Sequence, residues 1–233
     1  GGCRYRAYDM YHDGEITAHT DYLTDRIADN AIDYLRRGRT DRPFYLGVHF
    51  TAPHTPWDRP EHPPEVWDMY EGVDFKNVPY APVHRDQMAN SFIGDTPERR
   101  QELIRGYFTA VTAMDAAIGR ILQAVKELDL EDDTVIVFTS DNGMNVGQHG
   151  VWGKGNGTYP QNFYEESIRV PLVVRAPGKK PRAVSDMVSH VDLFPSILEL
   201  CGVDGAPDRP CGQSFAGVLD GGAFVREYVC VFS

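Results

Sequence analysis

Residues 1–233 contain no apolar run near the roughly 20 residues that cross a bilayer. No Met, basic segment or apolar leader core opens the chain. Neither a membrane partner nor a targeting signal is expected from these residues. Positive charge is also short: 23 Lys and Arg stand against 34 Asp and Glu, for a formal charge of −11. That balance argues against nucleic acid, which wants a basic face. It leaves room for a small anionic substrate, because a few local cations can dominate a pocket. Cysteine is scarce, with Cys3, Cys201, Cys211 and Cys230 showing no Cys-x-x-Cys or Cys/His metal spacing. Cys201 and Cys211 flank a Gly/Pro/Asp loop, either as a disulfide or as buried free thiols. There is no repeat and no low-complexity tract. Both ends are abrupt, Gly-Gly-Cys at one and Val229-Cys230-Val231-Phe232-Ser233 at the other, and the chain reads as a fragment.

What remains is ordinary globular material, 42% hydrophobic and 24% charged, long enough to bury a sizeable core. The stretch Thr134 to Pro171 organises it. A continuous apolar run, Val135-Ile136-Val137-Phe138, reads as a strand covered on both faces. Asp141, Asn142, His149 and Lys154 follow in Gly-rich chain. Ligands of open α/β sheets bind beyond the carboxyl ends of strands, where these groups emerge.

Helical spacing predicts a surface helix over Thr17–Arg37, closed by Gly38, and a longer one over Glu98–Leu128. Leu103, Tyr107, Val111, Met114, Ile118, Ile121, Leu122 and Val125 form the stripe of the longer helix. Asp115 falls on that stripe and reads as a structural carboxylate with a hydrogen-bonded burial. Phe44–Phe50 and Val170–Arg175 read as strands. Val191–Leu200 reads as a helix capped by Asp192 and stopped at Gly202. The chain ends on a further strand signal. Residues 58–97 are a long irregular excursion, of the kind that forms lids or substrate walls. Strands alternating with helices predict an α/β fold with a mostly parallel sheet flanked by helices.

Asp141 and Asn142 offer a carboxylate and an amide carbonyl, hard oxygen donors suited to Ca²⁺ or Mg²⁺. The same Asp-Asn-Gly also reads as a plain turn. Lys154 lies between Gly153 and Gly155, and its compact ammonium suits a tetrahedral oxyanion, though any single loop lysine is more often solvated. His54 leaves a predicted strand end between Pro53 and Pro56, on stiff backbone, though a loop histidine taken singly is more often a surface residue. His149 binds an oxyanion, acts as a general acid, or braces its loop.

Together these motifs resemble the type I sulfatases of the alkaline phosphatase superfamily. The resemblance rests on Ala52-Pro53-His54-Thr55-Pro56-Trp57, Thr139-Ser140-Asp141-Asn142-Gly143, Gly147-Gln148-His149-Gly150-Val151-Trp152-Gly153-Lys154, Tyr164-Glu165-Glu166-Ser167-Ile168-Arg169-Val170-Pro171 and Val188-Ser189-His190-Val191-Asp192-Leu193-Phe194-Pro195-Ser196. It runs in order from about Tyr22 to about Gly202. It implies that Asp141 and Asn142 are the later Ca²⁺ ligands, with Lys154 and His54 as catalytic sulfate contacts. His149 stands on a motif position whose role is less defined.

The insertion Asn156–Gln161 lengthens the loop after Lys154, so the family's substrate contacts there do not carry over. The family's formylglycine arises from the Cys or Ser of a Cys/Ser-x-Pro-x-Arg motif, and residues 1–233 contain none. Cys3-Arg4-Tyr5-Arg6-Ala7 has Tyr5 where Pro should be and Ala7 where Arg should be. The resemblance thus implies a partial sulfatase-like catalytic domain over 1–233, with 205–233 leading toward a smaller C-terminal subdomain and the formylglycine in a missing upstream segment. It further implies a small or glycan sulfate ester as substrate, and a secreted, periplasmic or lysosomal setting. The alternatives are a phosphatase or phosphonate monoester hydrolase of the same superfamily, and a non-catalytic binding relative.

Overall fold

The computed structural model describes residues 4–37, 42–204, 211–224 and 226–231. Contacts divide the chain into two compact units, Gly1–Asp129 with Gly143–Ile168, and Leu130–Asn142 with Arg169–Ser233. Cys3, Gly38 and the last two residues of the expected terminal strand lie outside the described residues.

The first unit opens on a hairpin where the sequence reading began a helix. Strands β1 (Tyr8–His12) and β2 (Glu15–His19) pair antiparallel, with Tyr8 opposite His19 and His12 opposite Glu15. Asp13 and Gly14 turn the chain at φ 48° and 93°, the two positive values that a tight hairpin turn demands and that Asp-Gly favours. Helix α1 therefore runs Leu23–Arg36. Helix α2 (Pro64–Asp68) and a 3₁₀ turn at Arg59–Glu61 are the only helical pieces described in the 58–97 excursion.

Helix α3 (Pro97–Glu127) lies within one residue of its predicted span. The Thr96 hydroxyl accepts from the Arg99 amide at 3.2 Å, and Pro97 sits in the first turn, where a missing N–H costs nothing. Its buried face is rotated from the predicted stripe onto Leu103, Ile104, Thr109, Ala110, Ala113 and Ala117. Ala110 and Ala113 pack with Tyr5, Tyr22 and Ala52, and α3 also lies against α1, whose own buried face includes Ala28 and Ala31. Asp115 faces solvent and needs no buried partner. By length and composition α3 would also suit a membrane crossing. Here its Leu103 and Ile104 join Trp57, Val146 and Trp152 in the core of this unit.

Phe44–Phe50 alternates half-buried with exposed, the period of a strand, but it has no ladder among the described residues. Two short strands, β4 (Asn145–Val146) and β5 (Trp152–Gly153), pair antiparallel, and helix α4 (Glu165–Ile168) closes the unit.

In the second unit, β3 (Ile136–Thr139) pairs with β6 (Leu172–Arg175), Ile136 opposite Arg175. The α/β class stands, but the pairing direction differs from expectation. All described ladders are antiparallel, because Phe44–Phe50 has no strand beside it and β3 meets β6 running the other way. Leu172 and Val174 face the core of Phe215, Val218 and Phe224. The registered pair Phe138 and Val173 points elsewhere and is 37% and 60% exposed, so the apolar run is not covered on both faces.

Helix α5 (Leu193–Leu200) follows a 3₁₀ turn at His190–Asp192. Asp192 stands at its N-cap position, but its fully buried carboxylate accepts instead from the amides of Ser189 and Gln213, at 2.7 and 2.8 Å, and from Arg226. No strand forms over Tyr228–Val231. Cys201, Cys211 and Cys230 are free and exposed, which replaces both earlier readings, the disulfide and the buried thiols.

Candidate active site

His54 stands on a turn pinned at four points. Its amide donates to the Thr51 carbonyl at 2.9 Å, and the Trp57 indole donates to Pro53 O at 2.8 Å. Tyr5, wholly buried, donates its hydroxyl to His54 O at 2.7 Å. His62, also buried, meets Pro56 O through Nε2 at 3.2 Å and the Tyr22 hydroxyl through Nδ1 at 3.3 Å. A carbonyl only accepts, so Nε2 of His62 carries the proton and Nδ1 accepts from Tyr22. Burial lowers the His62 pKa to about 4, against a partial offset from the Pro56 carbonyl, and the ring is neutral. The His54 side chain itself is exposed, with Nδ1 2.8 Å from Thr55 O. With Nδ1–H so engaged, Nε2 donates to an anion only in the imidazolium form.

The second element is the loop from Gly147 to Asn162. Gly150 has φ 73°, and a Cβ there would stand 1.9 Å from Pro82 O, so this position requires glycine twice over. Residues 82–88 of the excursion lie along the loop. His84 N donates to Gly150 O, Met88 N to Gly157 O and Tyr159 N to Asp86 O, at 2.9, 2.9 and 3.0 Å. The Gln87 amide behaves as a strand residue would, accepting from Trp152 N at 2.8 Å and donating to Trp152 O at 3.1 Å.

Two further amides continue the series. Asn145 Nδ2 donates to Gly153 O at 3.2 Å, and Asn162 Nδ2 donates to Lys154 O at 3.2 Å. Ser167 Oγ joins them, accepting from Asn145 Nδ2 at 2.7 Å and donating to Asn162 Oδ1 at 2.6 Å. Lys154 is half-buried on this loop.

His149 belongs to the same loop but faces a different set. At φ 56° it is held in left-handed backbone. Its ring stacks on Tyr164, centroids 4.0 Å apart and 10° from parallel, and Nε2 lies 2.9 Å from Glu166 Oε2. The Glu166 carboxyl sits below its ordinary range, chiefly through its own backbone N–H, with partial burial opposing and His149 adding to the shift.

Asp141 and Asn142 belong to the second unit, immediately after β3. Thr139 Oγ1 donates to Pro171 O and Ser140 Oγ to Asn142 O, both at 2.9 Å, so the chain leaves the strand in a tied turn. Asp141 is exposed and Asn142 half-buried. Among the described residues no group of three His, Cys, Asp or Glu side chains could hold a metal ion.

Within the first unit, Lys154 and His149 thus share one loop, and His54 has its own turn. Sequence reasoning missed Tyr5, His62, Gln87, Asn145 and Asn162. Asn145 lay inside the organising stretch, but amides carry no spacing signature that marks them out.

The sulfatase family model matches residues 3–203. The chain belongs to the sulfatase family. It belongs with the type I sulfatases of the alkaline phosphatase superfamily and carries part of that α/β fold. An endo-4-O-sulfatase of Bacteroides thetaiotaomicron is 32% identical over 183 residues, which cover 76% of this chain and 32% of that relative. A protein from a core genetic locus for glycosaminoglycan metabolism in the same organism superposes with a TM-score of 0.79 at 26% identity, over 97% of this chain and 46% of its own. A phosphonate monoester hydrolase of Agrobacterium radiobacter superposes at 0.67 with 27% identity, over 88% of this chain and 44% of its own. The sulfatase chain described here therefore spans less than half the length of each.

Proposed function

We propose that the whole protein hydrolyses sulfate esters, with a sulfated glycan as the substrate class. Residues 1–233 supply sulfate-binding and metal-binding groups, and the formylglycine nucleophile comes from chain outside them. One observation carries the reading: the family match over residues 3–203 includes a lysine held between two glycines on a tied loop. A lysine ammonium is a compact cation for a sulfate oxygen, and His54 adds a second polar contact from a braced turn. Held in place before the substrate arrives, such groups stabilise charge that develops in the transition state. His149, with its ring against Tyr164 and Nε2 on Glu166, acts as a brace in this account.

Asp141 and Asn142 fit a hard divalent cation in donor chemistry, Ca²⁺ first and Mg²⁺ second, and further ligands must come from elsewhere. Such an ion supplies Lewis-acid charge neutralisation. The likeness to an N-acetylglucosamine-6-O-sulfatase of Bacteroides thetaiotaomicron supports the glycan class.

The likeness to a phosphonate monoester hydrolase favours a second reading, hydrolysis of phosphonate or phosphate esters. Assaying the whole protein on an aryl sulfate and on a phenyl phosphonate ester separates the two. Faster sulfate release is expected; a kcat/KM higher for the phosphonate would reverse the assignment. Residues 1–233 alone are expected to turn over neither.

A further inference from the structure

Trp152, Gly153 and Lys154 present three consecutive backbone carbonyls, and each accepts from a side-chain amide on a different segment. The donors are Gln87 at 3.1 Å, Asn145 at 3.2 Å and Asn162 at 3.2 Å. We infer that these amides form a cradle that sets the position of the Lys154 backbone, and that Gln87 makes the irregular excursion a positioning element for the anion site. The inference rests on the proposal that Lys154 holds the sulfate.

The physical need comes from the glycines. Gly153 has φ 146°, in the region that side chains disfavour, and Gly155 follows the lysine. Glycine on both sides lets this backbone sample many conformations. The dipeptide ladder of β4 and β5 ends at Gly153, and beyond it the Lys154 carbonyl accepts from the Gly157 amide at 2.9 Å within its own loop and from Asn162 outside that turn. The amides substitute for a ladder. Gln87 engages both the N–H and the carbonyl of Trp152, and the Gln87–Thr158 bridge continues the contact across the loop. Asn162 follows residues 156–161 and returns the chain to Lys154 O and Gly155 O. That segment therefore ends on the lysine's own carbonyl. Ser167 ties Asn145 to Asn162, so two members of the cradle move as one.

Gln87 is the member to test, because it is half-buried and its loss opens no core cavity. Gln87→Glu keeps an acceptor for Trp152 N–H but sets a carboxylate oxygen against Trp152 O. In the whole protein on an aryl sulfate, kcat is expected to fall about 10-fold or more and KM to rise by a smaller factor, because a misplaced charge contact costs more in the transition state than in the ground state. Inorganic sulfate, titrated by calorimetry, is expected to bind about 3- to 10-fold more weakly, while the unfolding midpoint stays near wild type. Lys154→Ala is the control for the underlying reading. If Lys154→Ala weakens sulfate and slows turnover while Gln87→Glu matches wild type in both, the cradle inference is overturned and the sulfate site stands. If Lys154→Ala leaves sulfate binding and turnover unchanged, the sulfate reading fails, and a positioning role for Gln87 fails with it. A Gln87→Glu variant that loses stability but keeps kcat per folded molecule would also overturn the inference, since that is what a merely structural contact does.

Discussion

Tyr5 donates its phenolic hydrogen to the backbone carbonyl of His54 at 2.7 Å, across 49 positions of sequence. The ring is wholly buried, stacked on Tyr22 and tilted against His62, so the hydroxyl has one direction in which to point. Tyr5→Phe keeps the ring and removes the donor. It is expected to cost about 1–2 kcal/mol, the net worth of one hydrogen bond with a part-buried carbonyl left behind. Urea unfolding of the two proteins measures this, and an unchanged midpoint would mean that the contact contributes nothing to the turn.

His62 gives the chain a pH dependence of definite sign. Its folded pKa is lowered to about 4 by burial, against about 6.5 when unfolded. The unfolded state therefore binds more protons between those values, and stability rises with pH across that window. It is full above about pH 6.5 and falls progressively toward pH 4. The whole effect is on the order of 3 kcal/mol for one such histidine. His62→Gln is expected to flatten that slope between pH 4 and 6.5. A wild-type slope that persists in the variant would assign it to other groups.

His149 separates side-chain contacts from backbone strain. At φ 56° an L-residue is strained and glycine is not. Both His149→Ala and His149→Gly lose the Tyr164 stack and the Glu166 contact. The glycine variant is expected to be more stable than the alanine variant by about 1 kcal/mol. Equal stabilities in chemical denaturation would show that the loop relaxes around the strain.

Gly106 opposes local propensity to packing. In an exposed helix interior, Gly→Ala gains about 1 kcal/mol. Here the added methyl would stand 1.9 Å from Trp57 O, a backbone atom next to the turn that carries His54. Gly106→Ala is expected to destabilise by roughly 1–3 kcal/mol net, as overpacked sites do. A stabilised variant would place the Trp57 backbone farther from α3.

These contrasts show where the chain was legible. Helix α3 was predicted to within a residue at each end, because a long apolar period at helical spacing runs unbroken between them. Strands β3 and β6 were found within two residues because each is a short run of apolar, mostly β-branched residues. The hairpin at Asp13-Gly14 was readable and was missed, since the apolar residues from Ile16 onward mimic a helical period. Asp115 was placed on the wrong face because the period counted large side chains, whereas much of the buried face of α3 is alanine: Ala110, Ala113, Ala117 and Ala124. In the site, the residue types of Lys154, His54, Asp141 and Asn142 were visible as motifs. Their supports were not. Tyr5, His62 and Gln87 act across 40 to 65 positions of sequence, and no local pattern reports such contacts.

The central claim is that Lys154 holds the sulfate in the reacting complex. Its most direct test is sulfate release from an aryl sulfate by the whole protein and its Lys154→Ala variant, both shown to be folded. Losing one preorganised charge donor is expected to lower kcat/KM about 10²- to 10³-fold. A Lys154→Ala enzyme that releases sulfate at the wild-type rate would contradict the account.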